Sequence, residues 1–235
     1  MTAVGDGVEA GNANWSFEGI GEHFDDHVTK SVPLYHEGHE LIARSADHFL
    51  LNGSLCYELG CSTGELQRLL ATRNREKSVR FVGIDIEPSM VEEARRKCTD
   101  LPAVEIVEAD IADFEFEPAD VVIAYYTVQF VRPRVRQLVF DHVFEALNWG
   151  GAFYCFEKVR GPDARFQDIV TSVYTDYKLD QGYTPDEIVA KTRSLKGVLE
   201  PFSTAGNLGL FERAGFSDVM TIFKYACFEG FLAIK

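Results

Sequence analysis

The sequence contains no C-x-x-C pair. Its five cysteines, Cys56, Cys61, Cys98, Cys155 and Cys227, are odd in number and widely spaced. That argues against a disulfide framework or a zinc site and fits reduced thiols. No stretch approaches the ~20 apolar residues of a membrane span, and no basic segment leads into an apolar core at the start. The expectation is a cytoplasmic protein with no membrane partner. Basic residues are scarce, 23 against 37 acidic ones, for a formal net charge of −14. Such a chain repels phosphate backbones, so nucleic acid is not expected as a direct partner. Two weak basic clusters, Arg132, Arg134 and Arg136 and then Arg73, Arg75 and Lys77, read as solvated helix and loop residues. No carboxylate or third histidine stands at metal-binding spacing from His36 and His39, so no metal is expected and both read as surface histidines. Neither an internal repeat nor a low-complexity linker is visible. At 235 residues the chain suits one domain, or one domain with a helical extension.

What the sequence does contain is organised around Leu55-Cys56-Tyr57-Glu58-Leu59-Gly60-Cys61-Ser62-Thr63-Gly64-Glu65-Leu66. Five mostly apolar residues predict a buried strand. Gly60 and Gly64 bracket a tight turn, and a helix starts at Glu65. The next strand, Val79 to Ile84, ends in Asp85. Strand, glycine turn, helix, strand and terminal acid describe a nucleoside-binding α/β site. Glycine lets the backbone approach a ligand closely, and a strand-end acid accepts hydrogen bonds from two ribose hydroxyls. The turn lacks G-x-G-x-x-G spacing, which disfavours a pyrophosphate site. No Lys-Ser/Thr follows its second glycine, so it is not a P-loop. Cys61 reads as a small residue beside the ligand rather than a nucleophile.

The order of elements predicts three segments. Residues 1–14, rich in Gly, Ala and acids, read as a disordered tail. Residues 15–52 read as a helical lid across the mouth of the site. Ile20, Phe24, Val28 and Val32 mark one apolar helix face, with Asp25, Asp26 and His27 on the others. Pro33 ends that helix, and Leu41, Ile42, Ala46 and Phe49 carry a second. Residues 53–235 then alternate strands and helices. Strands are expected at 104–108, 119–124 and 152–156, with a helix over 131–147 stopped by Asn148-Trp149-Gly150-Gly151. A helical insertion at about 160–200 precedes a final helix over 205–214. Strands at 218–223 and 227–233 are close enough to pair antiparallel. The fold class is α/β, a Rossmann-like sheet of seven strands with the last one antiparallel.

An acid-x-G-x-x-x-G turn followed by a strand-end acid resembles the S-adenosyl-L-methionine (SAM) site of class I methyltransferases. Within that superfamily the chain most resembles the carboxy-S-adenosylmethionine synthase family, over roughly residues 14–235. The resemblance is carried by Trp15-x-Phe17 with Phe24, Ser31-Val32-Pro33-x-Tyr35, Thr127-x-Gln129-Phe130, Arg136-Gln137, Glu157-Lys158, Asp176-x-Lys178, Gly182-Tyr183 and Glu187-Ile188. It implies SAM as cofactor, with S-adenosyl-L-homocysteine the product of methyl transfer. It implies Tyr35, Glu58, Gly60, Cys61, Ser62, Gly64, Asp85, Ile86, Asp110, Ile111 and Tyr125 as cofactor-binding positions. It also implies a homodimer. Members of that family convert SAM and prephenate into carboxy-SAM, used to modify a wobble uridine of transfer RNA. Two positions depart. Tyr125 stands where the family has an asparagine. Thr192 stands where it has an arginine that grips the added carboxylate, with Arg193 one residue later.

Three readings follow. The first is a methyltransferase acting on a small-molecule acceptor, with Tyr125 and Tyr126 orienting the acceptor and Arg193 gripping its acid. The cofactor is already activated, so the protein mainly positions and desolvates the reactants. The alternative is carboxy-SAM synthesis, in which Arg193 replaces the missing arginine. The third is a non-catalytic SAM-binding module. Tyr174, Tyr177 and Tyr183 form either a dimer surface or an aromatic acceptor pocket.

Overall fold

The computed structural model describes residues 2–5, 9–19, 21 and 24–235. Its centre is a seven-stranded sheet built from β3 (Leu55–Leu59), β4 (Arg80–Asp85), β5 (Val104–Glu108), β6 (Ala119–Tyr125), β7 (Leu147–Lys158), β8 (Asp218–Tyr225) and β9 (Phe228–Ile234). The order is β5-β4-β3-β6-β7-β9-β8. The first five strands in that order run parallel, and β9 is antiparallel to both its neighbours. This is the α/β class expected from the sequence.

The central strands β3, β4 and β6 are buried on both faces, and the period of two along each strand assigns its residues to them. Leu55, Tyr57 and Leu59 of β3 join Val122 and Ala124 of β6 in one core cluster. Phe140 of α5 (Pro133–Ala146) and Phe211 of α8 (Thr204–Ala214) cover that face. Cys56, Val121 and Ile123 join Ile42 of α2 (Tyr35–Ala46) and Leu66 and Leu70 of α3 (Glu65–Arg73) on the opposite face. All five cysteines are free and buried.

Local sequence explains where the helices begin. Pro88 opens α4 (Pro88–Lys97), and α7 (Pro185–Ser194) starts with a capping box between Thr184 and Glu187. The Asp163 carboxylate accepts from the Phe166 amide and caps α6 (Ala164–Asp180). Helices α6 and α7 are the predicted insertion.

Several expectations are corrected. Within the stretch read as a disordered tail, β1 (Thr2–Ala3) pairs with β2 (Glu9–Ala10). Val4, Ala10 and Trp15 are buried together against Ala190, Leu195 and Val198, which is why this segment packs despite its composition. Residues 1 and 6–8 of that stretch lie outside the described residues, as does Ile20. In α1 (Phe24–Ser31) the buried face is Phe24, His27 and Ser31, so His27 does not lie on an outer face. The glycine stop after α5 is instead the start of β7. Leu147 pairs with Ala119 and Ala152 with Val121, so the intervening residues bulge. Arg136 is buried, not solvated. Its guanidinium donates to the carbonyls of Val131 and Gln129 and stacks on Phe202.

Candidate functional site

The carboxyl ends of β3, β4 and β6 meet where the strand order reverses, the usual ligand position in such sheets. Gly60 follows β3 with φ +69°. A Cβ built there would stand 2.4 Å from Thr127 Cγ2, so no other residue fits this turn without displacing Thr127. Thr127 in turn donates from its hydroxyl to the Leu59 carbonyl at 2.7 Å. The amides of Gly60 and Cys61 donate to the Ile84 carbonyl at 2.7 and 3.0 Å, which ties the turn to β4.

Asp85 closes β4. One oxygen accepts from the Ser62 amide at 2.8 Å and the other from the Glu87 amide at 3.0 Å. Burial raises its pKa, and these amide bonds act in the opposite direction. Glu58 is buried behind it. Burial, then the Asp85 charge, push its carboxyl well up, and its Oε2 has no hydrogen-bond partner among the described residues. Asp110, after β5, accepts from the Ala112 amide at 2.9 Å.

A large cavity of about 1270 Å³ begins at this turn. Gly60, Ser62, Asp85, Ile86, Asp110 and Ile111 line its sheet end. Ile86 is 65% exposed there, an apolar side chain left uncovered beside an acid that accepts hydrogen bonds. Tyr35, Tyr125 and Tyr126 line it further along. Cys61 and Gly64 do not. The Cys61 side chain packs with Val91, Ala94 and Ile106, and Gly64 opens α3 beside Ala94. The Cys61 side chain therefore belongs to the core rather than to the cavity wall.

Tyr125 donates its phenolic hydrogen to the Tyr35 carbonyl at 2.6 Å. Tyr126 adopts φ 59°, uncommon for a bulky residue, and its hydroxyl is buried without a partner among the described residues. Burial pushes both phenols up from their ordinary values, so neither is poised to act as a phenolate base. His39 is buried between the rings of Tyr35 and Tyr125, each centroid 4.5 Å away, and is not the surface histidine expected. Burial, then His36, lower its pKa to about 3, so it is neutral. No cluster of potential metal ligands exists among the described residues.

The far end of the cavity is basic. Lys158, Lys178 and Lys191 line it. Lys191 bonds His27 and, at 2.8 Å, the Ser31 hydroxyl. The ammonium groups of Lys158 and Lys178 lie 4.2 and 4.5 Å from the centroid of the Tyr174 ring. Burial, then the Lys158 charge, lower the Lys178 pKa to about 8, and burial lowers that of Lys158. Sequence reasoning missed these lysines as site residues. The signal was present in the Glu157-Lys158 and Asp176-x-Lys178 pairs that carried the resemblance.

The family model for a methyltransferase domain matches residues 57–151. A carboxy-S-adenosyl-L-methionine synthase of Campylobacter jejuni is 39% identical over 214 residues, covering 90% of each chain. One from Staphylococcus epidermidis is 33% identical, covering 94% of this chain and 97% of its own. The chain belongs to the carboxy-S-adenosyl-L-methionine synthase family. Its fold is that of class I methyltransferases. The structure of an O-methyltransferase family protein from Burkholderia thailandensis superposes with a TM-score of 0.66 at 18% identity, covering 92% of this chain and 59% of that one. The protein is a SAM-dependent transferase, and its cofactor is SAM. The turn that admits only glycine, the strand-end acid and the uncovered Ile86 fit that cofactor. It supplies a sulfonium centre that activates its attached carbons.

Against the carboxy-S-adenosyl-L-methionine synthase pattern, the late-helix arginine position is Thr192. Thr192 lines the cavity, but its hydroxyl donates to the Ile188 carbonyl at 2.8 Å. Arg193 is exposed and does not line the cavity, and its carbonyl accepts from the Ala13 amide at 2.9 Å. One residue turns a helix by about 100°, which carries Arg193 away from the cavity and Lys191 toward it. The structure therefore does not bring Arg193 to the site.

Proposed function

We propose that this protein converts SAM into carboxy-SAM, taking the carboxyl group from a small organic acid, prephenate in the family it resembles. The observation that carries this reading is the cavity that joins the Asp85 end to the lysine end. An acidic co-substrate calls for cations in the cavity, whereas a neutral methyl acceptor does not. In this reading Asp85 accepts from the ribose hydroxyls and Ile86 packs on the adenine. Asp110 and Ile111 bind the adenine edge, and Gly60 and Ser62 face the methionine part. Tyr125 and Tyr126 act as neutral hydrogen-bonding and packing groups beside the reacting centre. The proposed setting is cytoplasmic, with small molecules as partners, no direct nucleic acid and a homodimeric assembly. Mass spectrometry of ligand released from the purified protein tests this. Carboxy-SAM among the released species is expected after incubation with SAM and prephenate, and SAM or S-adenosylhomocysteine alone contradicts it.

A second reading is methyl transfer to a small-molecule acceptor. Tyr125 and Thr192, in place of the family's asparagine and arginine, favour it. Methylated product from an acceptor panel, without carboxy-SAM, would select this reading.

A further inference from the structure

Lys158 ends β7 and Lys178 lies in the last turn of α6, so two separate elements deliver their ammonium groups to one tyrosine ring. That ring is itself held. The Tyr174 hydroxyl donates to the carbonyl of Ser31, the last residue of α1, at 2.8 Å. Neither ammonium has a carboxylate or other hydrogen-bond acceptor among the described residues. Lys178 is only 7% exposed. Lys158 is half-buried; two like charges at one ring, one of them largely withdrawn from water, repel each other and lose hydration. The face of one aromatic ring offsets only part of that cost.

The chain has acids to spare and uses them elsewhere. Lys97 is bonded to Asp25 and Glu65, and Lys224 to Glu229. In a protein of net charge −14, the Lys158 and Lys178 ammoniums have no carboxylate partner among the described residues. Such an arrangement persists where a ligand supplies the anion.

We propose that Lys158, Lys178 and the Tyr174 ring form an anion subsite inside the cavity that takes a carboxylate of the organic acid consumed with SAM. This rests on the carboxy-SAM reading for the identity of the acid, and on the cavity geometry for the subsite. The paired ammoniums hold the carboxylate, and the ring beside them offers an apolar face to the rest of the acid. Because Tyr174 is tied to α1, a filled subsite also holds the lid helix in place.

The test is calorimetric titration of prephenate, malonate and inorganic phosphate into the protein loaded with S-adenosylhomocysteine. Wild type is expected to bind both carboxylates and not phosphate. Lys158→Met and Lys178→Met each weaken carboxylate binding at least tenfold and leave S-adenosylhomocysteine affinity within about twofold, while Lys178→Arg retains most of the binding. In the ligand-free protein Lys178→Met raises the melting temperature, because it removes an unanswered buried charge; a lysine kept for packing would lower it. Unchanged carboxylate affinity in both Met variants, phosphate binding as tight as either carboxylate, or no carboxylate binding by wild type overturns the proposal. Turnover is read separately. Binding that depends on both lysines without carboxy-SAM formation removes the reaction and leaves the subsite. Carboxy-SAM formed undiminished by both Met variants removes the subsite and leaves the reaction.

Discussion

The Tyr125 hydroxyl bonds the main-chain carbonyl of Tyr35 at 2.6 Å, joining the end of β6 to the first turn of α2. The contact needs room, and Gly38 provides it: a Cβ there would stand 2.2 Å from the Tyr125 hydroxyl oxygen. The position that departs from the family's asparagine has thus become a latch between the sheet and the lid.

Removing the latch has a measurable cost. Tyr125→Phe loses one buried hydrogen bond and leaves the Tyr35 carbonyl unanswered, which costs about 1 kcal/mol. For a chain of this size that lowers the melting temperature by roughly 2–4 °C. SAM affinity, measured by calorimetry, should fall severalfold because the lid is less firmly seated. An unchanged melting temperature and affinity would show that the bond holds nothing.

Gly38→Ala separates local from tertiary effects. In an isolated helix it is favourable by about 1 kcal/mol. Here it is expected to destabilise, because the added methyl meets the Tyr125 hydroxyl. In Tyr125→Phe the same change should cost less, since the nearest atom is gone. Denaturant unfolding of the two single variants and the double variant reads the coupling; simple additivity would count against the contact.

His39 sets a pH dependence. Its folded pKa is about 3, below the ordinary 6.5. The unfolded chain therefore binds a proton in the window between those values and the folded chain does not. Its contribution is fully present above pH ~6.5 and is lost progressively toward pH ~3, by about 1.4 kcal/mol for each pH step of one within that window. Glu157, raised by burial to about 8, acts in the opposite sense. Its contribution is present below the unfolded value near 4.5 and fades as the pH rises toward 8. Comparing wild type with His39→Phe cancels Glu157. Wild type should lose several kcal/mol relative to the variant between about pH 6.5 and 4, and parallel stability curves would contradict this.

Asp85 organises the glycine turn through the Ser62 amide as well as facing the cavity. Hydrogen bonds to a charged group contribute about 1.5–3 kcal/mol each, so Asp85→Ala should weaken SAM binding at least tenfold. Gly60→Ala should do the same by displacing Thr127. Calorimetric affinities within twofold of wild type for both variants would place the cofactor elsewhere.

The centre of the sheet was legible because β3, β4 and β6 are buried on both faces and so read as apolar runs. Gly60 and Asp85 were legible because their conformational and hydrogen-bonding roles leave few alternatives. What was not legible came from tertiary packing. His27, His39 and Arg136 lie at positions that local pattern assigns to solvent, yet neighbouring helices and loops cover each of them. Lys158 and Lys178 became cavity residues only because α6 folds back over the end of β7. The basic side chain of α7 was misassigned by helical phase. Arg193 and Lys191 are two residues apart and face nearly opposite ways, and gap-free spacing pointed to Thr192 and then Arg193 without Lys191. The N-terminal stretch was misread from composition, since three scattered apolar residues, Val4, Ala10 and Trp15, were enough to seat it.

The most direct test of the central claim is turnover: purified protein with SAM and prephenate, the products resolved by liquid chromatography and mass spectrometry. The account predicts carboxy-SAM formation that requires both substrates, is lost in Asp85→Ala and is strongly reduced in Lys178→Met. Consumption of neither substrate, or methyl transfer with no carboxy-SAM under the same conditions, would contradict it.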